Sequence, residues 1–535
     1  MAGFQLIADF TLHRFATSHI MNSNFSAKLL NRVWLYCTIF LTGAAVMVVE
    51  LLGTRLIAPF YGASLYVWTS LISVTLIALA LGYYWGGIWA DRSRSGLSFI
   101  IAAAGLLTLI IPWLTGPVLL ATDSLGLRLG SFLSTLILFS PSLIMLGMVG
   151  PFAVKLSTTT LASVGASTGS IYAVSTVGSV IGTLFLGFYL FPLIGSREIF
   201  IGLGIALLAL AMIVAVIERK YQKSTVALAP TTLLVIIGLA LYPQIASSGK
   251  SESAEALQTI FERESLYGWV RVIDQPHENM RLLTVDASTI GAASLSHGEN
   301  LLTYQKIVTM IPALAPSQSK ALLIGQGAGH MVATLKEFGI ETDTLEIDPA
   351  VAEAASEHFG FVPTGRRIIG DARYEIRQLK GPYDLIILDV FTGGSEPTHL
   401  LTVEAIAQLR ELLANQGILA LNFVAFYDNG QNPALASVAK TLAQVFPHQR
   451  VFISDPNENF NDFIFLATNH ALDLNDDSIP QMQRAWLNER LLAIDQSNGM
   501  IMTDNLSNLE LLQIRKSETY RRMIVDMVGT RHFIR

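Results

Sequence analysis

Seven runs of mostly apolar residues fill the first half of the chain, at 34–60, 66–90, 97–120, 131–153, 169–192, 199–217 and 226–243. About 20 apolar residues wound as a helix cross the hydrocarbon core of a bilayer, so the pattern predicts a multi-pass bundle of about seven helices. The first run is no cleaved signal, because it is too long and a second follows at once. Two glycine pairs, Gly82 with Gly86 and Gly178 with Gly182, sit one turn apart and predict close helix packing. After Pro243 the pattern changes. WVRVIDQ (269–275) and MRLLTVDAS (280–288) flank a turn-rich PHEN and predict an antiparallel hairpin. From 320 onward, short apolar runs alternate with helical spacing: KALLIG, then TDTLEID (342–348), RRIIGDA, YDLIILDV (383–390) and GILALNFV (417–424). Strands alternating with helices predict a parallel, doubly wound α/β sheet. The expected organisation is a tail over 1–33, membrane helices over 34–243, a linker over 244–261, a small β-hairpin domain over 262–316, the α/β domain over 317–475 and a helical tail over 476–535.

Composition sharpens this division. The chain is 52% hydrophobic and 14% charged, against about 25% charged for a soluble domain. Residues 1–244 carry 12 Lys/Arg and 6 Asp/Glu, whereas the remainder carries 23 and 35. The soluble half is therefore acidic, which argues against a nucleic-acid partner. A single cysteine, Cys37, excludes an internal disulfide framework and a Cys-rich zinc site. With the N-terminus in the cytosol, nine basic residues (Arg14, Lys28, Arg32, Arg92, Arg94, Lys155, Arg219, Lys220, Lys223) lie on the cytosolic side, against Arg55, Arg128 and Arg197 on the other. That distribution, with seven crossings, places the soluble half outside the cytosol.

Chemistry in a doubly wound sheet gathers at the carboxyl ends of its strands. Four features fall there: Gly325-Gln326-Gly327-Ala328-Gly329 after the first strand, Glu346 at the end of the second, Gly370-Asp371-Ala372 at the third and Asp389 at the fourth. Glycines let a backbone approach a ligand, Glu346 could accept ribose hydroxyls, Asp371 an adenine amino group, and Asp389 could orient or deprotonate an amine. Singly, Glu346 or Asp371 reads equally well as a helix cap. In this order they favour an adenosyl nucleoside. A dinucleotide is disfavoured, because the loop departs from G-x-G-x-x-G and no P-loop lysine is present.

These residues resemble the spermidine synthases, the polyamine aminopropyltransferases, and more closely their membrane-fused bacterial relatives. The resemblance runs from about 262 to 470 and includes Tyr304-Gln305, LLIGQGAG (322–329), Leu345-Glu346-Ile347-Asp348, Gly370-Asp371-Ala372 and Asp384 through Asp389. It implies a β-hairpin domain before a Rossmann-like, methyltransferase-type domain, and transfer of an aminopropyl group from decarboxylated S-adenosylmethionine to putrescine or an altered amine acceptor. It implies nucleoside contacts from Gln305, Gly325, Gly327, Gly329, Glu346, Asp371 and Ala372, and amine handling by Asp389 and Tyr304. No metal and no permanently bound cofactor are expected. The sequence departs from the family pattern at Ala328, where the family's loop has an Asp contacting the aminopropyl ammonium. Asp389-Val390-Phe391-Thr392 replaces Asp-Ser-Ser-Asp, Tyr267-Gly268 stands at the early Tyr-Gln, and Asn300-Leu301 precedes Tyr304 in place of Asp-Glu.

Three readings follow: an aminopropyltransferase, an S-adenosylmethionine-dependent methyltransferase, or a transporter whose soluble domain only binds a nucleoside or polyamine. For transport, Glu50 and Arg55 are the hint, since ionisable groups in a span mark functional sites by default. The expected partners are the lipid bilayer, a small amine and a second copy of the chain. The expected location is the plasma (inner) membrane, with the soluble domain in the cytosol, where adenosyl donors are made, against the charge count. Asp504 is expected to cap the helix after it, and RKSETYRR (515–522) to be a solvated helix face.

Overall fold

Helices and strands form where those two periodicities place them. The computed structural model describes residues 33–534 except 63, 94, 159, 223–226, 248–256, 315–318, 392–395 and 475–478. The N-terminal tail up to residue 32, half of the expected linker and Thr392 lie outside the described residues, as do Arg14, Lys28, Arg32, Arg94 and Lys223. The apolar runs become α1 (Val33–Tyr61), α2 (Leu65–Arg92), α3 (Leu97–Thr122), α4 (Gly126–Ser157), α5 (Val164–Phe185), α6 (Ser196–Gln222) and α7 (Leu228–Ser247). Six apolar helical stretches are long enough to cross a membrane, and one of them, Leu97–Ser157, holds 61 residues. At 1.5 Å per residue that is about three times a 30 Å core. The turn at Asp123–Leu125 and Gly126, with φ +74°, divide it into α3 and α4.

The chain forms two compact units, Met1–Thr54 with Thr69–Val118 and Phe132–Lys250, and Ser251–Arg535 with Arg55–Trp68 and Leu119–Ser131. In the first, helices meet backbone to backbone where glycine removes the side chain. A Cβ on Gly178 of α5 would stand 2.1 Å from the Phe40 carbonyl oxygen of α1, and one on Gly86 of α2 would stand 2.7 Å from Met148 Cα of α4. Burial of polar groups is equally specific. Glu218 of α6, 2% exposed, accepts the Gly96 and Leu97 amides and the Ser98 hydroxyl at the start of α3. It thereby satisfies donors that a helix N-terminus leaves without partners.

In the second unit the expected hairpin is the middle of a four-stranded antiparallel sheet, β1 (Gln258–Glu264), β2 (Trp269–Gln275), β3 (Met280–Val285) and β4 (Ser288–Ser294). Asn279 makes the β2–β3 turn with φ +50°. There follow α8 (Tyr304–Thr309), α9 (Ile311–Leu314), β5 (Lys320–Ile324), α10 (His330–Glu337), β6 (Glu341–Glu346), α11 (Pro349–His358), β7 (Arg367–Ile369), α12 (Ala372–Glu375) and β8 (Tyr383–Leu388). The domain continues with α13 (Val403–Leu412), β9 (Leu413–Phe426), α14 (Pro433–Val445), β10 (His448–Ile453), β11 (Phe460–Thr468), α15 (Gln481–Arg490), β12 (Leu491–Leu492), α16 (Leu509–Leu512) and α17 (Ile514–Val528). The sheet order is β12-β10-β11-β9-β8-β5-β6-β7. Strands β7, β6, β5, β8 and β9 are parallel, and β11, β10 and β12 add antiparallel pairings. Leucine, isoleucine and phenylalanine from β5, β8, β9 and β11 fill the cores on its two faces. The sheet is thus mixed at one edge, where only a parallel one was expected.

Two expectations for the C-terminal region are corrected. Asp504 does not cap a helix: it pairs with Arg373 and accepts the Thr402 hydroxyl at 2.7 Å. RKSETYRR is not a solvated face, since α17 buries Lys516 at 2% exposure. Arg521 of the same helix pairs with Asp123 at 2.7 Å and also reaches the Phe60 carbonyl. Arg55 donates to the Ser265 carbonyl at 2.6 Å and to that of Leu266.

Candidate active site

The carboxyl ends of β5, β6 and β8 open into a cavity of about 720 Å³, large enough for a nucleoside and a second small molecule. The part beside β5 and β6 is built by tight backbone. Gly325 and Gly327 have φ +87° and +52°, and a Cβ on Gly325 would lie 1.9 Å from the Asp389 carbonyl oxygen. Only glycine takes that conformation at that distance. Gly329, φ +81°, precedes α10 and packs against Phe361 instead of lining the cavity. Each carboxylate oxygen of Glu346 accepts one backbone amide, from Gln326 and from Asp348, both at 3.0 Å. A second lone pair on each oxygen is free of those bonds, as two ribose hydroxyls would require. Burial pushes the Glu346 carboxyl up to about 7. Asp371 caps α12 through one oxygen, which accepts the Arg373 amide at 2.7 Å. The same residue and Ala372 line the cavity, so the cap and the ligand-facing reading of Asp371 are compatible.

The opposite part is carboxylate chemistry. Asp389 accepts the Tyr304 hydroxyl at 2.7 Å through one oxygen and the Asn422 amide at 2.9 Å through the other. Gln305 is buried behind Tyr304, donates to its hydroxyl at 3.3 Å and does not line the cavity. Asn422 also approaches Asp462, at 3.4 Å. Burial, then the neighbouring charge of Asp389, pushes Asp462 up to about 7. Glu396 accepts three hydrogen bonds: one oxygen accepts the Val424 amide, and the other accepts Gln513 at 2.7 Å and Lys516 at 2.6 Å. Burial raises Asp389 above the usual carboxylate range and the Tyr304 phenol well above its own. Among the described residues no His/Cys/Asp/Glu group has a metal-holding arrangement.

The structure therefore gathers Asp389, Tyr304, Gly325, Gly327, Glu346, Asp371 and Ala372 around one cavity, and leaves Gln305 and Gly329 behind it. Sequence reasoning missed Asn422, Asp462, Glu396, Lys516 and Tyr520. Asn422 and Asp462 did carry a signal, a polar residue inside otherwise apolar strands (LALNFVAF, FNDFIFLAT). The Lys516–Glu396 pair spans 120 residues of sequence and leaves no local trace. Ala328 is 3% exposed and packs with Val270, Leu283 and Val351, so the loop position that carries an acid in the resembling family is apolar core in this chain.

No protein-family model matches the chain. Its curated relatives include an N-terminal histidine N-methyltransferase of Emericella nidulans, 29% identical over 218 residues, covering 36% of this chain and 38% of that protein. They also include the polyamine aminopropyltransferase of Vibrio vulnificus, 33% identical over 176 residues, 30% of this chain and 58% of that one. The chain thus spans less than two thirds of the length of either relative. A crystal structure of a probable spermidine synthase from Corynebacterium glutamicum superposes with a TM-score of 0.40 at 19% identity, covering 47% of this chain and 98% of that one. Over part of its length the chain is thus similar to polyamine aminopropyltransferases, which are transferases.

Proposed function

We propose that the protein is a membrane-bound transferase that moves the aminopropyl group of decarboxylated S-adenosylmethionine to an amine. The observation that carries this reading is Asp389, held by Tyr304 and Asn422 in the cavity that Glu346 and Asp371 also line. A sulfonium leaves readily as a neutral thioether, so the protein's work is alignment and proton removal. Glu346 holds the ribose and Asp371 the adenine. The Asp389 carboxylate draws the cationic amine to the donor carbon, and a nearby acceptor takes the proton shed during attack. No step requires a metal.

A second reading, methyl transfer from S-adenosylmethionine itself, has a specific observation in its favour. Buried Ala328 offers no carboxylate to the donor tail, and the relatives include methyltransferases. The full-length protein in detergent, incubated with each donor and an amine mixture, separates the two. Release of methylthioadenosine from the decarboxylated donor is expected; release of S-adenosylhomocysteine instead selects the second. If neither donor binds, the soluble domain is no transferase of this kind.

We place the soluble domain in the cytosol, where such donors are made. The seven helices are each 20 residues or longer, which disfavours a re-entrant segment, so this placement runs against the positive charges at Arg92, Lys155, Arg219 and Lys220. Protease cleavage within 248–256 in opened but not intact cells is the expected result, and cleavage in intact cells reverses the placement.

A further inference from the structure

Among the described residues, the amine-facing part of the cavity gathers its carboxylates in one place, apart from Glu510, which lines the cavity and is exposed. Of these carboxylates, Glu396 already accepts from Val424, Gln513 and the buried Lys516 ammonium. Asp389 and Asp462 both approach the same Asn422 side-chain nitrogen, at 2.9 and 3.4 Å, so they form one anionic locus. Both Asp389 oxygens are already accepting, whereas Asp462, which lines the cavity, has only that long contact. Beyond this locus the wall is aromatic and apolar. Phe391 meets Tyr520 edge-on at 4.9 Å and Phe460 lies 6.3 Å from Tyr520, with Met523 and Met527 of α17 beside them. The Lys516 ammonium lies 4.6 Å from the centre of the Phe391 ring, so a cation of the protein's own already lies against that ring. A diamine would have to bury its distal ammonium against these surfaces and beside Lys516, which is costly for an unpaired charge.

We propose that the acceptor is a monoamine with an apolar or aromatic body, and that Asp462 takes its proton. This rests on the reading of the cavity as a site of alkyl transfer to nitrogen. The bound ammonium first gives a proton to the Asp462 carboxylate, and the lone pair of the neutral amine so formed makes the new N–C bond at the donor's aminopropyl carbon. The C–S bond breaks with its electron pair leaving on sulfur, and the product nitrogen is left as a secondary ammonium. Asp389, with Tyr304 and Asn422 on its oxygens, holds the nitrogen in line.

The test uses full-length protein in detergent saturated with methylthioadenosine, titrated with phenethylamine, hexylamine and putrescine. The monoamines are expected to bind at least about tenfold more tightly than putrescine, equivalent to about 1.4 kcal/mol. Asp462→Asn should weaken phenethylamine binding at least about tenfold while methylthioadenosine affinity, which also reports on folding, is unchanged. Equal binding, or tighter binding of putrescine, overturns the proposal. In parallel, turnover of the decarboxylated donor with phenethylamine should form the aminopropylated amine. If the binding preference holds but no donor is consumed, the monoamine site stands and the aminopropyl-transfer reading fails. Should Asp462→Asn not fold, Phe391→Asp provides the opposite change, and it should raise putrescine binding relative to phenethylamine; no change in that ratio also overturns the proposal.

Discussion

The helical unit and the α/β unit both bury carboxylates, and they treat them in opposite ways. Glu218 in the bundle has two amides and a hydroxyl on its oxygens and ties α6 to the start of α3. Asp462 in the cavity has one long contact and two acidic neighbours. A buried acid that accepts several donors from a neighbouring element joins elements together, and one with a single long contact facing a cavity is available for chemistry. The glycines divide in the same manner. Gly86 and Gly178 are helical, and what matters is that they lack a side chain where another helix passes. Gly325 and Gly327 matter because their φ is positive next to a binding space.

Changes that erase this division should have graded effects. Gly325→Ala forces a Cβ into the Asp389 carbonyl and a left-handed alanine. The expected loss is about 4 kcal/mol or more, seen as a fall of about 10 °C or more in the melting temperature of the α/β domain or as failure to accumulate. Asp389→Asn keeps the shape of the site but removes the charge that draws the amine. Turnover should fall about 100- to 1,000-fold while calorimetry shows nucleoside affinity nearly intact; persistent turnover would remove Asp389 from the chemistry. Glu218→Ala leaves three donors without an acceptor and should cost about 2–3 kcal/mol, read by thermal unfolding in detergent with nucleoside binding unaltered.

The smallest effect is a pH dependence. Asp462 faces Asp389, Asn422 and Tyr304 from one side and Glu396, Lys516 and Tyr520 from the other, and sits at about 7 in the folded protein, above the unfolded value near 3.8. A raised acid contributes stability that is present in full below the unfolded value and is lost as pH rises through about 7. Asp462→Asn should therefore be relatively more stable above pH 7, by a few degrees, and should lose the rise in turnover expected near pH 7 as this acid ionises. A pH-rate profile unchanged by the substitution would assign proton removal to another group.

Much of this was legible in the chain. Apolar runs placed the seven helices, most ends to within about five residues, because a helix long and apolar enough to cross a bilayer must satisfy its own backbone. The strand–glycine–acid order located Gly325, Glu346, Asp371 and Asp389, since each follows its strand directly. What escaped is long-range: β1 and β4 flank a hairpin whose own pattern is complete without them, and Lys516 meets Glu396 only after the sheet and α17 have formed. Polar residues inside β9 and β11 were visible, and their meaning depended on which face of the sheet opened into the cavity.

Because Lys516 and Tyr520 belong to α17, the acceptor wall is finished by one of the later elements in translation order. A ribosome will have delivered all seven apolar helices and every strand that could touch a nucleoside before the lysine that engages Glu396 emerges. Nascent chains thus carry Glu396 still unclaimed, and its pair with Lys516 forms only when synthesis reaches α17.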